Sequence, residues 1–423
     1  MYPNPQDVVP LPSNPVLAEY LKQARDLAKA CRARGRDGVR EWAEQWMADG
    51  GGQFAEFAWS RLSGEGRCAL SDAQFAIARA YGFLSWRKFL RHIAGLGQTG
   101  TPINAFESAA DAIVTGDRAT LERLLQENPG LVRARSTREH RSTLLHYVAA
   151  NGVENYRQKT PKNAVEIAEI LLRAGSAVDA DADMYGGSAT TLGLAATSIH
   201  PLQAGVQNAL IDLLIANGAQ INQTGGAGRT TSIVNGCLAN GRGEAAEHLA
   251  RRGATLDLES ASGVGRLDLV QQFFHADGTL KHNATAVQMR DGFGWACEFG
   301  RMQVVEFLLD RGFDVATKSL RNHGQTALHW AASGGHADIV QLLLNRQAPL
   351  ELTDDSFDAT PLSWALYAWG NEPHATRERY YTVVRLLVRA GAIVKPEWLE
   401  HPSIRADERM VAALTSEEAP TPR

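Results

Sequence analysis

The chain repeats itself at a spacing of about 35 residues, and nothing else in it restricts the fold so strongly. Gly335-His336-Ala337-Asp338-Ile339-Val340-Gln341-Leu342-Leu343 aligns with Gly300-Arg301-Met302-Gln303-Val304-Val305-Glu306-Phe307-Leu308, 35 residues earlier. A further step of 35 brings Gly265-Arg266-Leu267-Asp268-Leu269-Val270 into register. Forward from Thr326-Ala327-Leu328-His329-Trp330-Ala331, a step of 34 reaches Thr360-Pro361-Leu362-Ser363-Trp364-Ala365. Shorter echoes stand at Thr143-Leu144-Leu145-His146, Thr190-Thr191-Leu192-Gly193 and Ser232-Ile233-Val234-Asn235. Matching stops recur at Ala174-Gly175, Asn217-Gly218-Ala219, Arg252-Gly253-Ala254 and Ala390-Gly391-Ala392. A unit this short cannot bury its own apolar face, so the units must stack.

These residues resemble the ankyrin repeat family, whose pattern runs through a turn, T-P-L-H-x-A-A, G-H, an apolar helix and G-A. Residues 324–354 match it almost throughout, with Gln347 replacing the closing glycine. The resemblance implies an all-α solenoid of about eight helix-turn-helix units over residues 104–400, with finger turns on one edge. It is similar to a bacterial-type array behind a helical N-terminal region. The physical logic agrees. Thr can cap the inner helix, His three residues later can bond back to that turn, and the last Gly supplies a left-handed stop.

Outside the repeat, residues 1–15 carry five prolines and read as an extended or disordered head. Residues 16–100 read as a helical cap, with turns at Gly35-Arg36-Asp37-Gly38 and Gly50-Gly51-Gly52. Within it, Ser71 or Asp72 can cap one helix, Gly82 stops it, and Ser85 caps the next. Residues 401–423 read as a C-terminal cap and tail.

Four cysteines, Cys31, Cys68, Cys237 and Cys297, form no C-x-x-C pair. That argues against a disulfide framework or zinc ribbon and for a reducing compartment. With no basic–apolar leader and no apolar run long enough for a membrane, the expectation is a cytoplasmic protein without a membrane partner. The balance of 43 Lys+Arg against 47 Asp+Glu disfavours nucleic acid. No phosphate loop, nucleophile elbow, zinc-helix or dinucleotide motif occurs, so no cofactor is expected. An Asp179-Ala180-Asp181-Ala182-Asp183 run lacks the glycine and glutamate that a calcium loop needs, and no metal is expected.

Departures from the pattern mark where function is to be sought. Residues 154–163, 198–205 and 370–379 are insertions, read as surface loops or a shaped rim. From Gly241 to Gly265 the spacing falls to 24, which removes most of one finger. Trp295, Trp330 and Trp364 follow the His slot in three consecutive units, so their rings form a row that can pack or bind. Glu259 takes a His slot beside the shortened finger, where burial would suit an acid or base. Gly193, Asn235, Gly294 and Ser363 occupy other His slots. The finger at residues 133–141 is basic, whereas those at 179–186 and 351–358 are acidic; exposed charge of this kind normally serves solvation.

Two functions remain open on these residues. One is a binding module recognising a protein partner in the concave groove and fingers, as the resemblance implies. The other is a small-molecule site or enzyme in the middle units, with Glu259 as the proton-transfer group. Tyr185, Arg229, Asn235, Trp295, Trp330 and Trp364 would bind its ligand.

Overall fold

The computed structural model describes residues 7–12, 15–47, 51–64, 68–98, 100–222, 232–319, 324–371 and 376–415. The fold is all-α, an ankyrin-like stack of helix pairs preceded by N-terminal helices, in two compact units that divide at 233/234.

In the first unit the N-terminal helices are α1 (Leu17–Trp46), α2 (Gly51–Leu62), α3 (Leu70–Ala80) and α4 (Trp86–Leu96). Gly35 breaks the helical geometry inside α1 at φ 58°, where the expected turn lies. Ser85 caps α4 by accepting from the Lys88 N–H. Neither Ser71 nor Asp72 caps α3, because both lie inside the helix, which begins at Leu70, and Asp72 instead pairs with Arg61 at 3.1 Å. Among the described residues before α1, Val9 N–H donates to the Ala80 carbonyl at 2.9 Å.

Cys31 and Cys68 are joined in a disulfide, which corrects the expectation drawn from their spacing. It also removes the argument that cysteine usage made for a reducing compartment. The bond closes a loop with a sequence separation of 37. By loop-closure entropy, opening it should cost about 2–4 kcal/mol of stability in these helices. Peptide mapping without reductant should find the two cysteine peptides linked, and the Cys31→Ser/Cys68→Ser protein should unfold at lower urea. Free thiol at both positions in the non-reduced protein would contradict the pairing.

The unit continues with α5 (Pro102–Thr115), α6 (Arg118–Glu127), α7 (Leu144–Val148), α8 (Ala164–Arg173), α9 (Thr191–Thr197), α10 (Ile199–Gln203) and α11 (Gln207–Ala216). One finger is a minimal hairpin of β1 (Asp181–Ala182) and β2 (Ala189–Thr190), paired antiparallel. The insertion at residues 198–205 holds α10, and that at 154–163 holds a buried ionic cluster described below.

The second unit comprises α12 (Ile233–Ala239), α13 (Gly243–Arg251), α14 (Leu258–Gly263), α15 (Leu267–Val270), α16 (Ala286–Glu298), α17 (Met302–Asp310), α18 (Ala327–Ser333), α19 (Ala337–Asn345), α20 (Pro361–Gly370) and α21 (Arg377–Arg389). Three short helices, α22 (Pro396–Glu400), α23 (Pro402–Arg405) and α24 (Glu408–Leu414), close its end. Inner helices α14, α16, α18 and α20 pack in file, with α17, α19 and α21 behind them. Val304, Val305, Leu308, Ile339, Val340, Leu343, Val383, Val384 and Leu387 fill the shared core.

The expected Thr–His device forms in both units. In α18, His329 Nδ1 accepts the Thr326 backbone N–H at 3.0 Å, while Nε2–H donates to the Ala359 carbonyl of the following finger at 3.0 Å. In α7, His146 does the same between Thr143 and Ala189, at 3.2 Å on each side. Each ring is therefore a neutral bridge between one repeat and the next. Gln347 adopts φ 63°, the left-handed geometry that glycine supplies at the equivalent Gly312 and Gly391.

Candidate functional site

The row of tryptophans forms. Trp295 lies 5.8 Å from Trp330, and Trp330 lies 5.9 Å from Trp364, centroid to centroid. Burial separates their roles. Trp295 and Trp330 are 4% and 9% exposed and act as packing between inner helices, whereas Trp364 at the end of the row is half-buried.

At the start of the row Glu259 is buried and accepts the Trp295 indole N–H at 3.1 Å. Its place in the repeat differs from the expected one. Asp257 caps α14 and Ser260 is the third helical residue that completes the capping box, so Ser260 holds the His slot. Glu259 sits one position earlier, where the consensus unit has Leu328. Gly294 is displaced too, because Thr285 caps α16, which puts Gln288 in the slot, and the helix runs 13 residues. Gly292 allows α16 to press onto α14, since a Cβ there would lie 3.0 Å from Ser262 Cβ and 3.1 Å from Glu259 Cα.

Asp257 is the hub that the sequence did not single out. Asn235 Nδ2 and Gln288 Nε2 each donate to its Oδ2 at 3.2 Å, and the Ser260 N–H donates to its Oδ1 at 2.8 Å. Asp291 is buried nearby on α16, 3.3 Å from Arg290 Nε. The second unit thus brings Asn235, Glu259, Trp295 and Trp330 onto neighbouring inner helices. Tyr185 belongs to the first unit, where its hydroxyl donates to Asn151 Oδ1 at 2.6 Å. Arg229 lies outside the described residues. Cys237 and Cys297 are buried, and burial pushes their thiols up, Cys237 to about 12.

At the other end of the row a cleft of about 460 Å³ opens between α20 and the preceding finger, lined by Phe357, Ala359, Ser363, Trp364 and Tyr367. Phe357 and Tyr367 are 71% and 68% exposed. One buried carboxylate builds its wall. Asp354 Oδ1 accepts the N–H groups of Ser356 and Phe357 at 2.8 and 2.7 Å. Its Oδ2 accepts the Trp364 indole at 2.9 Å and the Ala359 N–H at 3.3 Å. Burial opposes ionisation of Asp354, but the Trp364 and backbone donors outweigh it and hold the carboxyl below its ordinary value. The finger and the indole are fixed together, leaving three aromatic faces toward solvent. Trp364 was legible in the repeat; Phe357 and Tyr367 carry no motif, and only their exposure reveals them.

The basic finger of the first unit is not merely solvated. Arg135 pairs with Asp181 at 3.0 Å, so this finger meets the acidic one beside it. Arg138 is buried, its guanidinium 2.6 Å from Glu154 and 3.2 Å from Glu107. Arg157 completes the cluster at 2.7 Å from both Glu107 and Asp111. Burial opposes the charge on Glu107 and Glu154, yet Arg138 and Arg157 hold both carboxyls below the usual range.

Comparison with known proteins finds a family match that lies within the second unit. The family described as "Ankyrin repeats (3 copies)" matches residues 258–354 and 293–396. The E3 ubiquitin-protein ligase hecd-1 of Caenorhabditis elegans is 41% identical over 61 residues, 14% of this chain and 2% of that protein. A putative palmitoyltransferase, ZDHHC13 of Danio rerio, is 31% identical over 97 residues, 23% of this chain and 13% of that protein. The ankyrin repeat and KH domain-containing protein mask-1 of C. elegans is 27% identical over 210 residues, 47% of this chain and 7% of that protein. The chain therefore spans a small part of each of these relatives. The human ASB11 ankyrin repeat domain aligns at 21% identity with TM-score 0.34, covering 68% of this chain and 99% of that one. No helix among the described residues is long and apolar enough to cross a membrane.

Proposed function

Residues 258–396 of this chain are ankyrin repeats, and from that premise we propose that the protein is a binding module whose partner protein docks on the inner-helix and finger face of the second unit. Ankyrin repeats generally mediate protein–protein interaction. A fold alone does not assign a function, so the reading needs a site.

The observation that carries it is the cleft at Phe357, Trp364 and Tyr367. Large aromatic side chains left in water are costly, and clustered around a concavity they resemble the anchors that dominate protein interfaces. Trp364 is held by Asp354, so part of the surface is ordered before a partner arrives, which lowers the entropy cost of association.

Display selection tests this reading. Peptides selected on the full chain should lose at least about tenfold in affinity for a Phe357→Ser/Tyr367→Ser protein, the scale of one lost aromatic anchor. Both side chains are exposed, so the variant should fold normally, as circular dichroism would check. A selection that enriches nothing, or peptides indifferent to both substitutions, would overturn the proposal.

A further inference from the structure

We infer that the cleft takes a large apolar side chain of the partner polypeptide, and that a cationic residue beside this anchor meets the acidic finger at the rim. This inference rests on the protein-binding reading above and adds the chemistry of the partner.

The interior selects the anchor. Phe357, Trp364 and Tyr367 present rings and Ala359 a methyl group, and about 460 Å³ accommodates an aromatic or long aliphatic side chain. A cation buried there would lack a counter-charge. The carboxylate behind the wall, Asp354, already receives four donors and is itself buried. An unpaired ammonium or guanidinium in such a place costs more than the aromatic faces return.

The rim selects the neighbour. The finger carries Glu351, Asp354, Asp355 and Asp358. Lys318 offsets one of these charges, pairing with Asp355 at 2.7 Å. Asp358 is exposed and stands between two residues that line the cleft, Phe357 and Ala359. A tight turn fixes it at φ 49°. Its carboxylate makes no hydrogen bond or ion pair among the described residues. A cationic side chain next to the anchor can reach it while remaining in water, the arrangement that long basic side chains favour.

The test uses peptides from the display selection, resynthesised with lysine, glutamine or glutamate on either side of their apolar anchor. Binding to the full chain is read by fluorescence polarisation. The lysine versions should bind about fivefold more tightly than the glutamate versions at low salt, and high salt should narrow that gap. Asp358→Asn should shrink the gap without weakening the glutamine peptides. Equal binding of lysine and glutamate peptides that still depends on Phe357 and Tyr367 would overturn the charge inference and leave the protein-binding reading standing. Binding that ignores Phe357 and Tyr367 would overturn both.

Discussion

Replacing Arg138 by leucine should destabilise the first unit by about 3–5 kcal/mol, the cost of removing one partner from a buried ionic cluster. The guanidinium is enclosed by Glu107 and Glu154 and donates to the Tyr156 hydroxyl at 3.0 Å, while its face lies 5.4 Å from the Phe83 ring centroid. Leucine would leave two buried carboxylates with Arg157 as their main compensation. Urea unfolding, with hydrogen exchange read over α5 and α7, measures the loss. A surface control such as Arg123→Leu, whose pair with Glu127 is exposed, should change stability by less than about 1 kcal/mol. Equal effects from the two substitutions would mean that the cluster contributes nothing special. The same cluster should also weaken in acid. The carboxyls of Glu107 and Glu154 ionise more readily in the folded chain, so their contribution is complete above the ordinary carboxylate range. It fades as protons are forced on below that range.

Mild acid should act earlier through the histidines. Burial, the largest cause in each case, lowers His92, His146 and His329 from 6.5 to about 4. The unfolded chain therefore binds protons on these rings at a pH where the folded chain refuses them. Stability is complete above about pH 6.5 and falls as the pH drops toward 4, by about 3 kcal/mol for each ring. The urea midpoint of the first unit should be distinctly lower at pH 5 than at pH 7.5; in the second unit burial raises Glu298 to about 8, which opposes His329 over the same range. His146→Gln should flatten that dependence in the first unit, because glutamine carries an acceptor and a donor but does not titrate. Identical midpoints at the two pH values would contradict the neutral-bridge assignment.

What could be read in the chain followed the reach of each interaction. The unit around Thr326, His329 and Trp330 was legible because its capping and packing partners recur at fixed spacing. Glu259 was misplaced by one residue because α14 reaches Gly265 in eight steps from its cap, where the consensus unit takes nine from Thr326 to Gly335. Counting back from the glycine therefore gives a different slot from counting forward from the cap, and hydrogen bonding follows the cap. Arg138 looked like surface charge because its burial depends on Glu107, 31 residues away, and on an insertion whose sequence resembles a loop. Cys31 and Cys68 carry no motif across their separation of 37; the packing of the N-terminal helices brings them together. Phe357 and Tyr367 escaped notice for the opposite reason, since an exposed aromatic residue leaves no trace in a periodic pattern.

The histidine bridges bear on how this protein can be cut for experiment. Because His329 fastens to Ala359 and His146 to Ala189, the last bond of each repeat is made by residues that the repeat boundary would assign to its successor. A shortened protein ending just before residue 359 would keep every helix through α19 and still strip His329 of its acceptor. Ending beyond that finger would retain the acceptor at the cost of a few more residues. The natural joints of the molecule thus fall after the fingers, a few residues beyond the end of the motif by which the repeats are recognised.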